Sequence, residues 1–391
     1  MKSKISEAIC QDMEQWFESF HQAPETAMQE YDTSRIIAER LRDFGYEVTE
    51  GIGKLGIVAT MQRGEGMRSL GIRAEFDTLA IQEENDLPYR SRIPGHAHLC
   101  GHDGHTTMLL GAAKQLAESG HFNGKLTLIF QPGEETMQGG AAMVADGLFE
   151  RFPVDAVYAM HNLPGLPLGI LHFCSGEMMS AVDNWEIKLM GRGSHGSMPE
   201  LSIDPVVAGA SLVLALQSIV SRNVSPWHHS VVTIGAFLAG DTGNTIPDSA
   251  TLRLSIRNME PETRIQVLER IRTITQHQAE SYGCAYEITE GQPGAVLINS
   301  EEETRYAAEV ARKTFGEERV VYPSARYMSS EDFAFMLQKQ RGCYLMIGNG
   351  ETPMVHNPKF IFNKQLLPIG ASYWGLIPIL RCWRRKPHAK N

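Results

Sequence analysis

The chain has 391 residues, 42% of them hydrophobic and 21% charged, with a formal net charge of −10 and an isoelectric point near 5.8. That composition belongs to a globular protein with a sizeable core. The acidic balance counts against a nucleic-acid binder, which needs a basic face, although a local basic patch for an anionic substrate remains compatible with it.

Residues 1–22 carry charges throughout and have no apolar core segment, so no secretory signal is expected. The six cysteines, at positions 10, 100, 174, 284, 343 and 382, show no paired spacing. They read as free thiols of a reducing compartment, which makes the cytoplasm the expected location. Residues 4–22 and 30–44 predict two helices, separated by a turn at 22–26. Thr33 is the expected N-cap of the second, in which Ile36, Ile37, Leu41 and Phe44 recur at helical spacing before Gly45 ends it. Strands are predicted at 56–61 and 69–74, the latter running into Glu75-Phe76-Asp77. The loop 99–105 then enters a helix reaching Ser119, with Asp103 as a candidate N-cap. Residues 125–130 form a nearly continuous apolar strand, suited to a sheet covered on both faces. That strand ends in Gln131-Pro132-Gly133-Glu134-Glu135, and a helix over 141–149 and a strand over 156–160, ending in His161-Asn162, follow.

Strands alternating with helices predict an α/β sheet. Glu75 and Asp77, Glu134 and Glu135, and His161 each fall just past the carboxyl end of a predicted strand. Open α/β sheets bind ligands along that edge. From residue 181 the pattern changes: strands at 184–190, 231–238, 250–256 and 285–289 alternate with helices at 204–222 and 261–282, and a Gly/Ser-rich loop, 191–199, holds His195. The order βαββαβ matches the split-βαβ, ferredoxin-like unit. The expected organisation is therefore a mixed-sheet α/β catalytic domain in two parts, 1–180 and 291–391, with a smaller domain inserted at 181–290. In the second part, a helix at 301–315 precedes residues 329–332, which are expected to cap a helix at 333–339. A strand at 343–347 is followed by a loop carrying His356. The apolar run 366–380 is shorter than the roughly 20 residues of a membrane span and is interrupted by Pro368 and Pro378. It predicts a buried helix followed by a basic tail, and no membrane association.

The chemistry centres on Leu99-Cys100-Gly101-His102-Asp103-Gly104-His105, which sets a thiol, two imidazoles and a carboxylate within six residues. Glu135, His161 and His356 complete, with Cys100 and His102, a set of five candidate metal ligands. Five protein donors exceed what one catalytic ion with an open position takes. They suit two ions sharing a bridging group and a bridging water. Thiolate, imidazole and carboxylate together fit Zn, Mn, Ni or Co rather than Mg or Ca. Of the neighbours Glu134 and Glu135, one is expected to bind metal and the other to act as general base.

At this point the chain resembles peptidase family M20, and within it the subfamily D amidohydrolases, which include hippurate hydrolases, N-acyl-amino-acid amidohydrolases and auxin-conjugate hydrolases. The resemblance rests on Arg73-Ala74-Glu75-Phe76-Asp77-Thr78-Leu79, on residues 98–106 and on Phe130-Gln131-Pro132-Gly133-Glu134-Glu135. Met160-His161-Asn162, residues 191–199, Asn244-Thr245-Ile246-Pro247-Asp248, Ser330-Glu331-Asp332-Phe333 and His356-Asn357-Pro358 extend it over nearly the whole chain. It implies two divalent ions per subunit on Cys100, His102, Glu135, His161 and His356, with Glu134 as general base to a metal-bridged water. It also implies a lid domain that forms a homodimer, with His195 steadying the oxyanion at the partner subunit's site and Asn244 and Arg257 holding the substrate. Where the family usually has Asp, Pro and Ala, this chain has Glu75, Ala80 and Gly133, which leaves every candidate ligand in place. The expected reaction is hydrolysis of the amide of a small N-acyl amino acid, hippurate-like or N-acetylated. The competing readings are a dipeptidase or carboxypeptidase on the same site, or a non-catalytic binding protein on this scaffold. Asp77 and His105 either orient ligands or cap structure.

Overall fold

The computed structural model describes residues 5–120 and 122–382. The basic tail expected after residue 382 lies outside the described residues. The chain divides into two compact units: one holds the residues up to Gly176, Ile298–Ala325 and those from Asp332 onward, and the other holds Glu177–Leu297 and Arg326–Glu331.

The first unit is built on an eight-stranded mixed sheet. Across it the strands run Glu47–Ile52, Gly56–Arg63, Gly124–Gln131, Ser69–Glu75, Ala156–Pro164, Gly342–Gly350, Leu171–His172 and Val320–Val321. The central strands Gly124–Gln131, Ser69–Glu75, Ala156–Pro164 and Gly342–Gly350 are parallel to one another. Their near-continuous burial fits strands covered on both faces. Helix His102–Ser119 is buried on almost all sides and packs against helices Glu7–Gln22 and Leu366–Cys382. The last of these carries Leu366, Leu367, Tyr373, Trp374 and Ile377 into the core, as expected of a buried helix rather than a membrane span.

Several local expectations are corrected. The second helix is Tyr31–Asp43, and Thr33 does not cap it: the Glu25 carboxylate accepts from the amides of Asp32 and Thr33 and from the Thr33 hydroxyl. Asp103 lies inside the first turn of its helix, whose N-cap is Gly101 at φ 99°. Asp332 precedes a shorter helix, Phe333–Leu337, without capping it, because its carboxylate accepts instead from Arg73, Gln131 and Gly140. His161 and Asn162 lie within their strand, since pairing with Gly342–Gly350 continues past residue 160. The edge strand Glu47–Ile52, whose residues are mostly exposed or half-exposed, has no apolar signature.

The second unit holds a four-stranded antiparallel sheet in the order Ser230–Leu238, Ser249–Asn258, Ala181–Met190, Ala285–Glu290. Helices Pro205–Ser218 and Pro261–Ser281 bury Leu212, Leu216, Val267 and Ile271 against Trp185, Ile187, Leu252 and Ile256. This is the βαββαβ order expected of a ferredoxin-like unit. Asp204 caps the first helix by accepting from Val206 and Val207. Among the described residues, Pro205–Asn223 is the one helix long and apolar enough to cross a membrane. Ala208, Leu212 and Leu216 face its unit's core, while Val206, Val207 and Leu214 are exposed.

Candidate metal centre

The parallel strands and the helix that follows the Cys100 loop determine where the candidate ligands meet. Helix His102–Ser119 starts directly after Gly101, a turn that a side chain would block: a Cβ there would stand 2.1 Å from Oδ1 of Asn162. Cys100 and His102 therefore flank a tight left-handed residue that only glycine adopts without strain. Glu135 follows the strand Gly124–Gln131, and His161 lies in the strand Ala156–Pro164. His356, itself left-handed at φ 69°, is brought back by its amide, which donates to the Leu99 carbonyl at 2.7 Å.

These placements bring all five candidate ligands together within the first unit. Donor atoms of Cys100, His102 and Glu135 lie within 4.8 Å of one another. Nε2 of His161 is 3.3 Å from Sγ of Cys100, and Nε2 of His356 is 3.4 Å from Oε2 of Glu135. The other oxygen of Glu135 faces Nε2 of His102 at 3.9 Å. Two donors on one tetrahedral ion, each about 2.1 Å from it, stand about 3.4 Å apart, so these separations suit shared ions. His356 is the one exposed member; the other four are buried or nearly so.

A sharper test of fit comes from the atoms with no partner. Nδ1 of His102 faces two acceptors at 3.1 Å, the carbonyl and Oδ1 of Asp77, and therefore carries the proton. Its Nε2 then points towards Oε1 of Glu135 at 3.9 Å and Oε1 of Glu75 at 3.8 Å. Both Nε2 of His102 and Oε1 of Glu135 are buried without a hydrogen bond. Carboxylate oxygens gathered at one buried point need positive charge among them, which the His102 ring proton supplies in the metal-free protein and a cation supplies in its place when bound. His161 is arranged alike: Nδ1 donates to the Asn162 carbonyl, leaving Nε2 directed at the Cys100 sulfur.

The electrostatics tell the same story. Burial, followed by the charges of Glu135, Glu134 and Glu75, pushes the Cys100 thiol well up. Burial opposes charge on His102, yet Asp77, Glu75 and Glu135 outweigh it and raise the imidazole to about 10. His161, desolvated and beside His105, is held well below its ordinary value and so keeps its lone pair. Burial alone would raise Glu135, but His356 and His102 hold its carboxyl down. The cluster calls for positive charge, and divalent ions answer that call while releasing the protons of Cys100 and His102.

A buried polar lattice fixes this centre from behind. Oδ2 of Asp77 accepts from the Glu135 amide at 2.9 Å while Oδ1 holds His102, so one carboxylate orients two candidate ligands. Glu75 pairs with Arg73 on one side and with Nδ1 of His105 on the other. His105 reaches Asn162, the neighbour of His161, through Nε2. Asp77 and His105 thus touch ligands or their immediate neighbours. His21, absent from the sequence reading, lies buried between Asp103 at 2.7 Å and Glu83 at 3.3 Å. A lone histidine at the end of an amphipathic helix carries no sequence signal for that role.

Glu134 is buried beside the candidate ligand Glu135. His195, Asn244 and Arg257 belong to the second unit. Nδ1 of His195 contacts the Ser197 hydroxyl at 2.7 Å, on a short strand paired with Thr245–Ile246. The Asn244 carbonyl accepts from Gly196 at 2.8 Å, which joins the two loops. Nη1 of Arg257 donates to the Met328 carbonyl at 3.2 Å, and burial lowers the guanidinium pKa.

With this geometry established, comparisons with known proteins can be set beside it. The sequence profile of peptidase family M20/M25/M40 matches residues 71–378. A hippurate hydrolase of Campylobacter jejuni is 42% identical over 92% of this chain and 94% of its own length. IAA-amino acid hydrolase ILR1-like 5 of Arabidopsis thaliana is 33% identical over 95% of this chain and 88% of its own. A crystal structure from Bacillus subtilis, described as a dinuclear metal binding peptidase from the M20 family, superposes with a TM-score of 0.82 at 28% identity, covering 96% of this chain and 99% of its own.

Proposed function

The chain belongs to peptidase family M20/M25/M40 and is a metal-dependent hydrolase, and on that premise we propose that it cleaves the amide bond between an acyl group and an amino acid. The observation that carries the reading is the pair of buried atoms without a hydrogen bond, Nε2 of His102 and Oε1 of Glu135, facing each other beside Cys100. Relatives named for hippurate and for IAA–amino acid conjugates support the substrate class, since both names denote acyl amino acids.

Cys100, His102, Glu135, His161 and His356 would hold two divalent ions, of Zn, Mn, Ni or Co. Such ions, when bound, supply Lewis acidity and lower the pKa of water towards about 7. The remaining work falls to side chains. Glu134, buried next to a ligand, takes the proton of the attacking water and returns it to the departing amine. Asp77 keeps the Nδ1 proton of His102 in place and fixes the Glu135 backbone. On the family resemblance, His195 is assigned to the developing oxyanion, and Asn244 and Arg257 to the substrate. A homodimer through the second unit is supported by the exposed Val207 and Leu214 on helix Pro205–Ser218 and Phe237 and Leu238 on the edge strand Ser230–Leu238. These residues form apolar surface of the kind that interfaces cover. A cytoplasmic location is proposed from the free-thiol reading of the cysteines.

The experiment is to strip the protein with a strong chelator, restore each of the four metals in turn, and follow release of free amino acid. Hippurate and N-acetyl amino acids are compared with unblocked dipeptides. Turnover of the acylated compounds alone supports the proposal. Turnover of dipeptides alone assigns the site to a peptidase, and metal binding with no hydrolysis of either removes both substrate classes from this site.

A further inference from the structure

The turn that carries Glu134 is gripped from two directions. The Gly133 amide donates to Oε1 of Glu30 at 2.8 Å, and the Glu135 amide donates to Oδ2 of Asp77 at 2.9 Å. These amides flank Glu134 on either side, so carboxylates from two distant segments anchor its backbone. Gly133 is left-handed at φ 62°, and a Cβ there would stand 2.7 Å from the sulfur of Met28, itself left-handed at φ 62°. The loop preceding helix Tyr31–Asp43 therefore packs tightly on the Glu134 turn.

Glu30 is set apart from the helix beside it. It is fully buried and directly precedes that helix, but its side chain does not cap it, and Glu25 takes the amides of Asp32 and Thr33 instead. Its Oε2 makes no hydrogen bond. A buried carboxylate with one oxygen unpartnered costs free energy; backbone amides of Glu30 itself, Gly133 and Met28 favour its charged form, and of these Gly133, at 2.8 Å, belongs to the Glu134 turn.

We infer that Glu30 is a positioning residue for the general base: its Oε1 fixes the Gly133 amide and so sets the direction in which the Glu134 carboxyl is presented. The inference rests on the reading of Glu134 as the base. What acts is an acceptor at the right reach, not a negative charge. Burial and the neighbouring Asp77 raise the Glu30 carboxyl to about 7, so near neutrality it is partly protonated while its carbonyl oxygen still accepts.

Two substitutions separate reach from charge. Glu30→Gln removes the charge and keeps an acceptor at the same distance, whereas Glu30→Asp keeps the charge and withdraws the acceptor by about one carbon–carbon bond. Glu30→Asp is expected to lower kcat about 10-fold, because sub-ångström misplacement of a catalytic group is costly. KM and metal content should stay at the wild-type values, and Glu30→Gln should remain within about 3-fold of wild type by the same argument. Independently of turnover, amide hydrogen exchange at Gly133 in the metal-free protein should accelerate in Glu30→Asp and not in Glu30→Gln. Where Glu30→Asp does not fold, Glu30→Met, which keeps the bulk and lacks the acceptor, replaces it in both measurements. The inference is overturned if Glu30→Gln is the impaired variant, if Glu30→Asp turns over normally, or if the loss of activity tracks loss of metal. Glu134→Gln is run in parallel: full activity in that variant refutes the base assignment alone, while the exchange data still report whether Glu30 holds the turn.

Discussion

Replacing Asp77 should weaken metal binding out of proportion to its distance from any metal, and the structure gives the size. Its carboxylate makes two contacts that matter, Oδ1 to the Nδ1 proton of His102 at 3.1 Å and Oδ2 to the Glu135 amide at 2.9 Å. In Asp77→Ala the Asp77 carbonyl still accepts from His102 at 3.1 Å, so that ring is loosened rather than released. The Glu135 amide loses its acceptor, at about 1–3 kcal/mol for a buried donor left unpaired. About 1.4 kcal/mol is a tenfold change, so affinity should fall about 10- to 100-fold, the range found when groups that orient metal ligands are removed. Asp77→Asn is the more telling variant. An asparagine cannot accept at both oxygens, and one arm must present N–H to a group that is itself a donor. If that arm faces His102, the ring proton is driven to Nε2, the atom that must be free for metal. Asn should therefore be at least as damaging as Ala despite its matching shape. Competition against a chromogenic chelator measures both affinities, with thermal unfolding of the metal-free proteins as the control for folding. Wild-type affinity in Asp77→Asn would refute the claim that this carboxylate sets the tautomer and orientation of two ligands.

Four further outcomes are expected. Glu134→Gln should retain its metal content while kcat falls about 100-fold or more, the range for loss of a general base, checked by metal analysis alongside steady-state kinetics. His21, raised to about 9 because Asp103 and Glu83 outweigh its burial, contributes about 3 kcal/mol. A raised histidine gives its full contribution below its ordinary pKa of 6.5 and loses it as pH rises through about 9, so urea midpoints should fall between about pH 7 and pH 10 in the wild type and stay flatter in His21→Gln. Leu214→Glu combined with Val207→Glu, both at exposed positions, should convert a dimer to a folded monomer by sedimentation; an unchanged sedimentation coefficient removes this helix from the interface. His195→Ala should lower kcat about 100-fold and leave metal content unchanged, as expected of a residue that meets the developing oxyanion.

The meeting of the five candidate ligands was legible in the sequence, whereas much of what orients them was not. Cys100, His102, Glu135, His161 and His356 each stand at or near a strand end or a helix start, and residue type together with alternating strands and helices was enough to gather them on one edge. The same logic placed His161 beyond its strand, where the apolar run 156–160 stops, but pairing with Gly342–Gly350 continues through it. Caps failed for a related reason. Thr33 is displaced by Glu25, which takes the first helix amides, and Asp103 and Asp332 are drawn away because a carboxylate that reaches a buried arginine, histidine or amide gains more than one at an exposed helix end. Asp332 serves Arg73, Gln131 and Gly140; Asp103 serves His21.

Glu30 and His21 show where a sequence reading runs out. In Gln29-Glu30-Tyr31-Asp32 the acid looks like part of a solvated helix start, and only the fold reveals that it is buried against Gly133. A metal ligand is constrained by its chemistry to one of a few residue types, so sequence alone can nominate it. A group that positions a ligand or a base is constrained by geometry, and many residue types can supply one hydrogen-bond acceptor. The candidate ligands could thus be nominated one residue at a time, but the clamp that Glu30 and Asp77 form around Glu134 becomes visible only when segments 103 and 58 residues apart are seen together.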